Sequence, residues 1–240
     1  MNLLTELIII SLIGGIVAMD TTASWQIQIS QPIVACTFIG YIFGDLQMGL
    51  LIGILLELPW LIEIPVGGAH ISEGNLGSFV SAGLAIHLVR YQVDKTNIII
   101  ILAILWGLMV SWLGGKFVNS MRTTNVLFAY RADKAATGAN FKKITLLNMG
   151  GVGHSFSLGF LLIGISFITG LFVVARVVAF IPQFFDRAFS YGKIGMLALG
   201  LGALIGMFTS RHNFHYFLIG IILALLIYFL NLFFPNVLVI

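Results

Sequence analysis

The sequence predicts an all-α, polytopic integral membrane protein with broken or re-entrant helices, and three observations carry that prediction. Hydrophobic residues make up 59% of the 240-residue chain and charged residues only 9%, against about 25% charged residues in a soluble domain. Several uncharged runs reach or approach the roughly 20 apolar residues that a spanning helix needs. Other apolar pieces are shorter and punctuated by Gly and Pro, the pattern of discontinuous membrane helices. A single membrane domain over residues 1–240 accounts for the chain, with no soluble domain of any size.

Leu3–Met19 is the first expected span and carries Glu6. No Lys or Arg precedes it and the apolar run continues, so no cleaved signal is expected and Met1 is expected to begin the mature chain. Ile33–Gly44 and Leu46–Leu56 are each too short to cross alone, and Asp45 separates them. One long tilted helix, a broken helix or a hairpin would each fit. Pro59, Pro65, Gly67, Gly68, Gly74 and Gly77 make Pro59–Gly77 the candidate for irregular backbone at membrane depth. Such backbone is tolerated only where protein or a water-filled cavity covers it. Residues 33–78 therefore form the motif-bearing segment.

Asn97–Gly115 is the next clear span. Lys116–Lys143 follows as a basic loop, with Lys116, Arg122, Arg131, Lys134, Lys142 and Lys143 against Asp133 alone. The positive-inside rule makes it cytoplasmic and puts Arg90–Thr96 outside. Part of it, Asn119–Lys134, is expected to lie as an amphipathic helix at the interface. His154–Ala175, Ile194–Ser210 and Phe214–Phe234 complete the spans, with a kink expected at Gly150, Gly151 and Gly153. Gly40 and Gly44, Gly49 and Gly53, and Gly202 and Gly206 are each four apart, a spacing that lets helices approach closely in lipid.

The absences narrow the chemistry. The chain has no P-loop, no dinucleotide fingerprint, no paired CxxC and no HExxH. No catalytic residue, no metal and no cofactor are expected. The pair His212 and His215, beside Arg211, reads as an interfacial cluster, as does His87 beside Arg90. Cys36 has no intramolecular partner for a disulfide. The basic segment is flanked by spans, so it marks topology and a docking surface, not nucleic-acid binding.

The first 89 residues pose the sharpest question. They contain Glu6, Asp20, Asp45, Glu57, Glu63 and Glu73 and no Lys or Arg; Arg90 is the first cation. Burying one charge in a bilayer costs at least ~2.5–3.5 kcal/mol on insertion scales. Each acid must therefore be neutral, lie at the interface or face a polar path. Glu6 and Asp20 bracket the first span and are expected at the interface. Asp45 precedes a helix-like run and is expected to cap it. Glu63, just before Pro65, is also expected at the interface. Glu57 sits among leucines with no local cation, and Glu73 and Asn75 flank Gly74 after the Gly67–Gly68 turn. These five residues, Glu57, Gly67, Gly68, Glu73 and Asn75, are the candidate binding set. Trp60 and His70 are further candidates, although Trp60 also fits an aromatic-belt anchor and His70 could simply pair with Glu73. Carboxylates, an amide and an aromatic face suit a polyol, and the same carboxylates would suit a proton or cation.

Gln31–Glu57 (QPIVACTFIGYIFGDLQMGLLIGILLE) resembles the membrane subunit IIC of the mannose/fructose/sorbose-type phosphotransferase systems. Pro32, Cys36, Thr37, Gly40, Gly44, Asp45, Gly49, Gly53 and Glu57 stand at matching positions. Gly67, Glu73 and Ser78 keep the spacing, and Ala132–Ala136 (ADKAA) resembles a further short signature of the family. The resemblance implies a sugar-translocating permease in the bacterial inner membrane, acting with a IID membrane subunit as an oligomer. Cytoplasmic IIA and IIB would carry phosphate from phosphoenolpyruvate to the sugar on their own histidines, so the IIC chain would not be an enzyme by itself. The rival reading is a cation-coupled secondary transporter or channel using Glu57 and Asp45. A third is a scaffold subunit that binds no substrate.

Overall fold

In the computed structural model, residues 1–61, 72–208 and 214–233 are described, and among them every regular element is helical. The predicted Glu63, Pro65, Gly67, Gly68, His70, Arg211 and His212 lie outside the described residues. The helices are α1 (Leu3–Thr22), α2 (Pro32–Phe43), α3 (Leu46–Trp60), α4 (Gly74–Val89), α5 (Thr96–Ala136), α6 (Phe141–Phe180), α7 (Asp186–Phe208) and α8 (Phe214–Phe233). Four helical stretches, Leu3–Thr22, Val93–Ala136, Phe141–Phe180 and Gln183–Gly206, are long and apolar enough to cross a membrane.

The ambiguity between Ile33 and Leu56 resolves as a hairpin. Gly44 ends α2 with φ +83°, a left-handed conformation that glycine adopts without a Cβ penalty. Asp45 then starts α3, its side chain accepting from the Met48 N–H at 2.9 Å, as expected of a cap. The two arms press together through glycines. A Cβ on Gly40 would lie 2.8 Å from the Asp45 carbonyl oxygen, and one on Gly49 would overlap the Cys36 carbonyl. Gly53 faces the Pro32 carbonyl in the same way, at 2.8 Å. Of the small-residue pairs, Gly202 and Gly206 meet nothing within 4 Å among the described residues.

One level of the molecule is marked by Arg90. Its guanidinium donates to the Glu6 carboxylate and to the Phe43 carbonyl, and His87 adds a contact to Glu6. This ties together the start of α1, the end of α2 and the end of α4. Asp186 caps α5 at the same end, accepting from the N–H groups of Asn97 at 2.8 Å and Ile98 at 3.0 Å. Lys95 Nζ donates to the Val178 carbonyl at 2.8 Å and ties the end of α6 to the start of α5.

From that level the helices run to different depths. The 20 residues of α1 span about 30 Å, one hydrocarbon thickness. The 12 of α2, 15 of α3 and 16 of α4 reach only about 18–24 Å. The arms of the α2–α3 hairpin are thus shorter than α1. By contrast α5 and α6, with 41 and 40 residues, extend about 60 Å. Their far halves form a mostly exposed antiparallel pair joined by a short turn before Phe141. This corrects the expected Lys116–Lys143 loop. Asn119–Lys134 is no separate interfacial helix but the continuation of α5. Residues through Gly150, Gly151 and Gly153 also remain helical, within α6.

The core lies between α1, α2, α3, α4 and the near halves of α5 and α6. α1 seats on α6 because Gly14 admits Ile163, Gly15 admits Phe156 and Gly159 admits Ala18. α4 seats on α5 through Gly77 against the Gly107 carbonyl. Large apolar side chains on α7 and α8 point outward, as lipid-facing side chains do.

Candidate functional site

At the open end of the α2–α3 hairpin, opposite its turn, three helix ends converge: the start of α2, the end of α3 and the start of α4. Sequence local to each end explains the meeting. Pro32 begins α2, a position where its missing N–H costs nothing. Pro59 sits in the last turn of α3. Gly74 opens α4 beneath the Trp60 ring, because any Cβ there would overlap the indole.

The predicted residues in the described region come together here. The half-buried Glu57 carboxyl accepts from the Ile33 N–H at 2.9 Å. A side chain from the neighbouring helix thus caps α2, whose own Gln31 makes no side-chain cap. A carboxylate is favoured at a helix N-terminus by the dipole as well as by the hydrogen bond. Glu73 is 3% exposed, and its N–H donates to the Ser111 carbonyl at 2.9 Å. Its stem rests on Gly114, where a Cβ would lie 2.8 Å away. Asn75 donates to Ser30 Oγ at 3.3 Å. Trp60 Nε1 donates to Ser78 Oγ at 3.1 Å, and Ser78 donates to the Gly74 carbonyl at 2.8 Å. Trp60 is therefore fixed against α4 beside the predicted acids.

Sequence reasoning missed several members. Ser111 Oγ, adjacent to Glu73, is buried and has no hydrogen-bond partner among the described residues. Ser30 is 3% exposed and held by its N–H on Asp20 at 2.9 Å. Asp20 also accepts from the Ile27 N–H at 2.8 Å. Asp20 was expected at the interface, yet it is 2% exposed and organises the segment between α1 and α2. That segment contains Trp25, Gln26 and Gln28, all with positive φ, a strained path that a buried acceptor can hold in place. Glu6, also expected at the interface, is fully buried and paired with Arg90. No periodicity in the sequence signals either partnership, since the partners lie 10 and 84 residues away.

The arrangement suits a neutral, hydroxyl-rich ligand. Acceptors, an amide, hydroxyls and an indole are gathered where the starts of α2 and α4 meet the end of α3. Discontinuous helices with their ends at mid-depth are the usual frame of transport sites.

Comparison with known proteins identifies the family. The family model for the phosphotransferase sorbose-specific IIC component matches residues 4–238. The sorbose-specific EIIC component of Klebsiella pneumoniae is 30% identical over 81% of this chain and 71% of its own length. The fructose permease IIC component of Bacillus subtilis is 28% identical over 91% of this chain and 77% of its length. Among solved structures, one described as a membrane protein superposes with TM-score 0.71 at 22% identity, covering 93% of this chain and 87% of that one. The mannose transporter ManYZ, solved with microcin E492, superposes with TM-score 0.52 at 21% identity over the same shares. These relatives decide for the phosphotransferase reading over the cation-coupled one. They are transport subunits, not catalytic on their own. The chain belongs to the sorbose-specific IIC family of the phosphotransferase system, as a multi-pass sugar permease component of the inner membrane.

Proposed function

We propose that this permease binds a hexose where α2, α3 and α4 meet, with Glu57, Glu73 and Asn75 hydrogen-bonding its hydroxyls and Trp60 covering its apolar face. Gly67, Gly68 and His70, between α3 and α4, belong to the same proposal by sequence position. The observation that carries it is the convergence of the helix ends bearing Glu57 and Glu73 at the open end of the α2–α3 hairpin, with Glu73 almost wholly buried. Hydroxyl donors satisfy carboxylates without importing a cation, and no Lys or Arg precedes Arg90. Relatives named for sorbose, fructose and mannose support a neutral hexose as the class.

The exposed far halves of α5 and α6 carry Lys116, Arg122, Arg131, Lys134, Lys142 and Lys143. Under the positive-inside rule they face the cytoplasm, where they form a docking surface for the IIA and IIB phosphocarriers. A IID subunit would complete the membrane complex, in an oligomer, against the outward apolar faces of α7 and α8. The test is calorimetric titration of the purified IIC–IID pair with hexoses. Glu73→Gln and Asn75→Ala should each lower affinity at least tenfold, or about 1.4 kcal/mol. Unchanged affinity in both would remove the site from this position.

A further inference from the structure

Serine hydroxyls inside these helices are satisfied in one recurring way. Ser78, Ser81 and Ser157 each donate to the carbonyl four residues back, at 2.8, 2.9 and 2.8 Å. Ser111 departs from this. It is 0% exposed, yet its Oγ has no hydrogen-bond partner among the described residues. The carbonyl four residues back belongs to Gly107 and is pressed against Gly77 of α4, where a Cβ would overlap it. A buried hydroxyl without a partner costs stability, and alanine would fill the same place without that cost. The packing of α5 therefore gives no reason for a hydroxyl at position 111.

The surroundings of Ser111 do give one. Ser111 and Gly114 are three apart on α5, and Glu73 and Gly77 are four apart at the start of α4, so each pair shares a helix face. The two faces meet. The Ser111 carbonyl accepts from the Glu73 N–H at 2.9 Å. The Ser111 Cβ lies 2.9 Å from where a Cβ on Gly77 would stand, and the Glu73 Cβ lies 2.8 Å from where one on Gly114 would stand. Ser111 thus sits beside Glu73 in the seam between α4 and α5. Glu73 is itself 3% exposed, so the movement that admits a ligand to its carboxylate also opens the ground beside Ser111. The two groups are chemically complementary. An ionised carboxylate only accepts, whereas a serine hydroxyl can donate. A sugar hydroxyl does both.

We propose that Ser111 is a specificity-determining residue of the sugar site, its Oγ–H donating to the ligand hydroxyl that itself donates to the Glu73 carboxylate. The proposal rests on the acid-site reading. One hydroxyl is then read twice, and a hexose lacking it leaves both groups without that partner. A site built to hydrogen-bond a hydroxyl rejects the analogue that lacks it more strongly than an apolar pocket rejects a change in size. Ser111 would thus help to select a hydroxyl at one position of the sugar.

The test is calorimetric titration of the purified IIC–IID pair with the hexose it binds most tightly and with each monodeoxy analogue of that hexose. Ser111→Ala should weaken the parent hexose by about three- to tenfold, the worth of one neutral hydrogen bond. It should leave the affinity of one monodeoxy analogue, the one lacking the shared hydroxyl, unchanged. The unfolding temperature of Ser111→Ala without sugar should equal or exceed that of the unaltered protein. Parent-hexose affinity unchanged in Ser111→Ala would overturn the proposal, as would an equal loss for the parent and every analogue. A lowered unfolding temperature would also overturn it, because the hydroxyl would then serve the fold. In each of those cases Glu73→Gln and Asn75→Ala would still weaken the parent hexose. Normal affinity in those two variants would instead overturn the acid-site reading, and the shared hydroxyl with it.

Discussion

Replacing Arg90 by Met should loosen the α2–α3 hairpin from the rest of the protein. The guanidinium donates both to Glu6 on α1 and to the Phe43 carbonyl at the hairpin tip. Glu6 is 0% exposed, so the change strands a buried acid. Removing one partner of a buried pair costs about 3–5 kcal/mol. The Arg90 side chain is 32% exposed, and His87 still touches Glu6, so the lower end, about 3 kcal/mol, is expected. For a domain of this size that corresponds to a fall of about 6–12 °C in Tm. Cys36 supplies the assay. It is the single cysteine, fully buried in α2, and a thiol-reactive fluorophore reaches it only when the packing around α2 opens. Heating Arg90→Met with that dye should give labelling at lower temperature than the unaltered protein. Adding Glu6→Gln should restore part of the loss, because a neutral amide is far cheaper to bury than an unpaired charge. An unshifted labelling curve would refute the reasoning. So would a double variant whose loss equals the sum of the single losses, since a real pair must show coupling.

Three further outcomes follow from the same geometry. Gly49→Ala should cost about 1–3 kcal/mol, because its Cβ would overlap the Cys36 carbonyl, which is backbone and cannot rotate away. Gly202→Ala, whose Cβ meets nothing within 4 Å, should be neutral or stabilise by up to about 1 kcal/mol; the Cys36 dye reads both. Asp20→Ala strands the N–H groups of Ile27 and Ser30 and should speed their hydrogen exchange, with little change at Met48, which Asp45 caps. Asp186→Ala removes the cap on α5 and should lower stability by about 1–2 kcal/mol, measured by the same thermal labelling.

The positions of the helices were readable because hydropathy and helix breakers are local. Gly44–Asp45 marked a break without deciding between a tilted helix, a broken helix and a hairpin, whereas Asp45 announced its own role as a cap. The lengths of α5 and α6 were not readable, since their polar far halves continue a helix that the apolar run had already ended. The acids show the limit most clearly. Their cationless stretch suggested neutral or interfacial side chains, but Asp20 and Glu57 use backbone N–H groups instead. Such donors come from the turns of other elements and leave no mark in composition. Glu6 uses Arg90, the first cation beyond the acid-rich stretch, a partner that only the packing of α1 beside α4 could reveal. Glu57 and Glu73 stand out in the sequence by lying amid apolar residues and Gly-rich backbone, and the fold places them at the end of α3 and the start of α4.

The central claim is that Glu57 and Glu73 serve a transported sugar and not merely the fold. Phosphoenolpyruvate-dependent hexose uptake by membrane vesicles containing Glu57→Gln or Glu73→Gln tests it most directly. Gln keeps an oxygen that can accept from the Ile33 N–H, so the cap on α2 persists while the charge is lost. Uptake should vanish in each variant, with membrane insertion unchanged and the Cys36 labelling temperature lowered only slightly, by the lost charge at the α2 N-terminus in Glu57→Gln. Normal uptake in both would contradict the account.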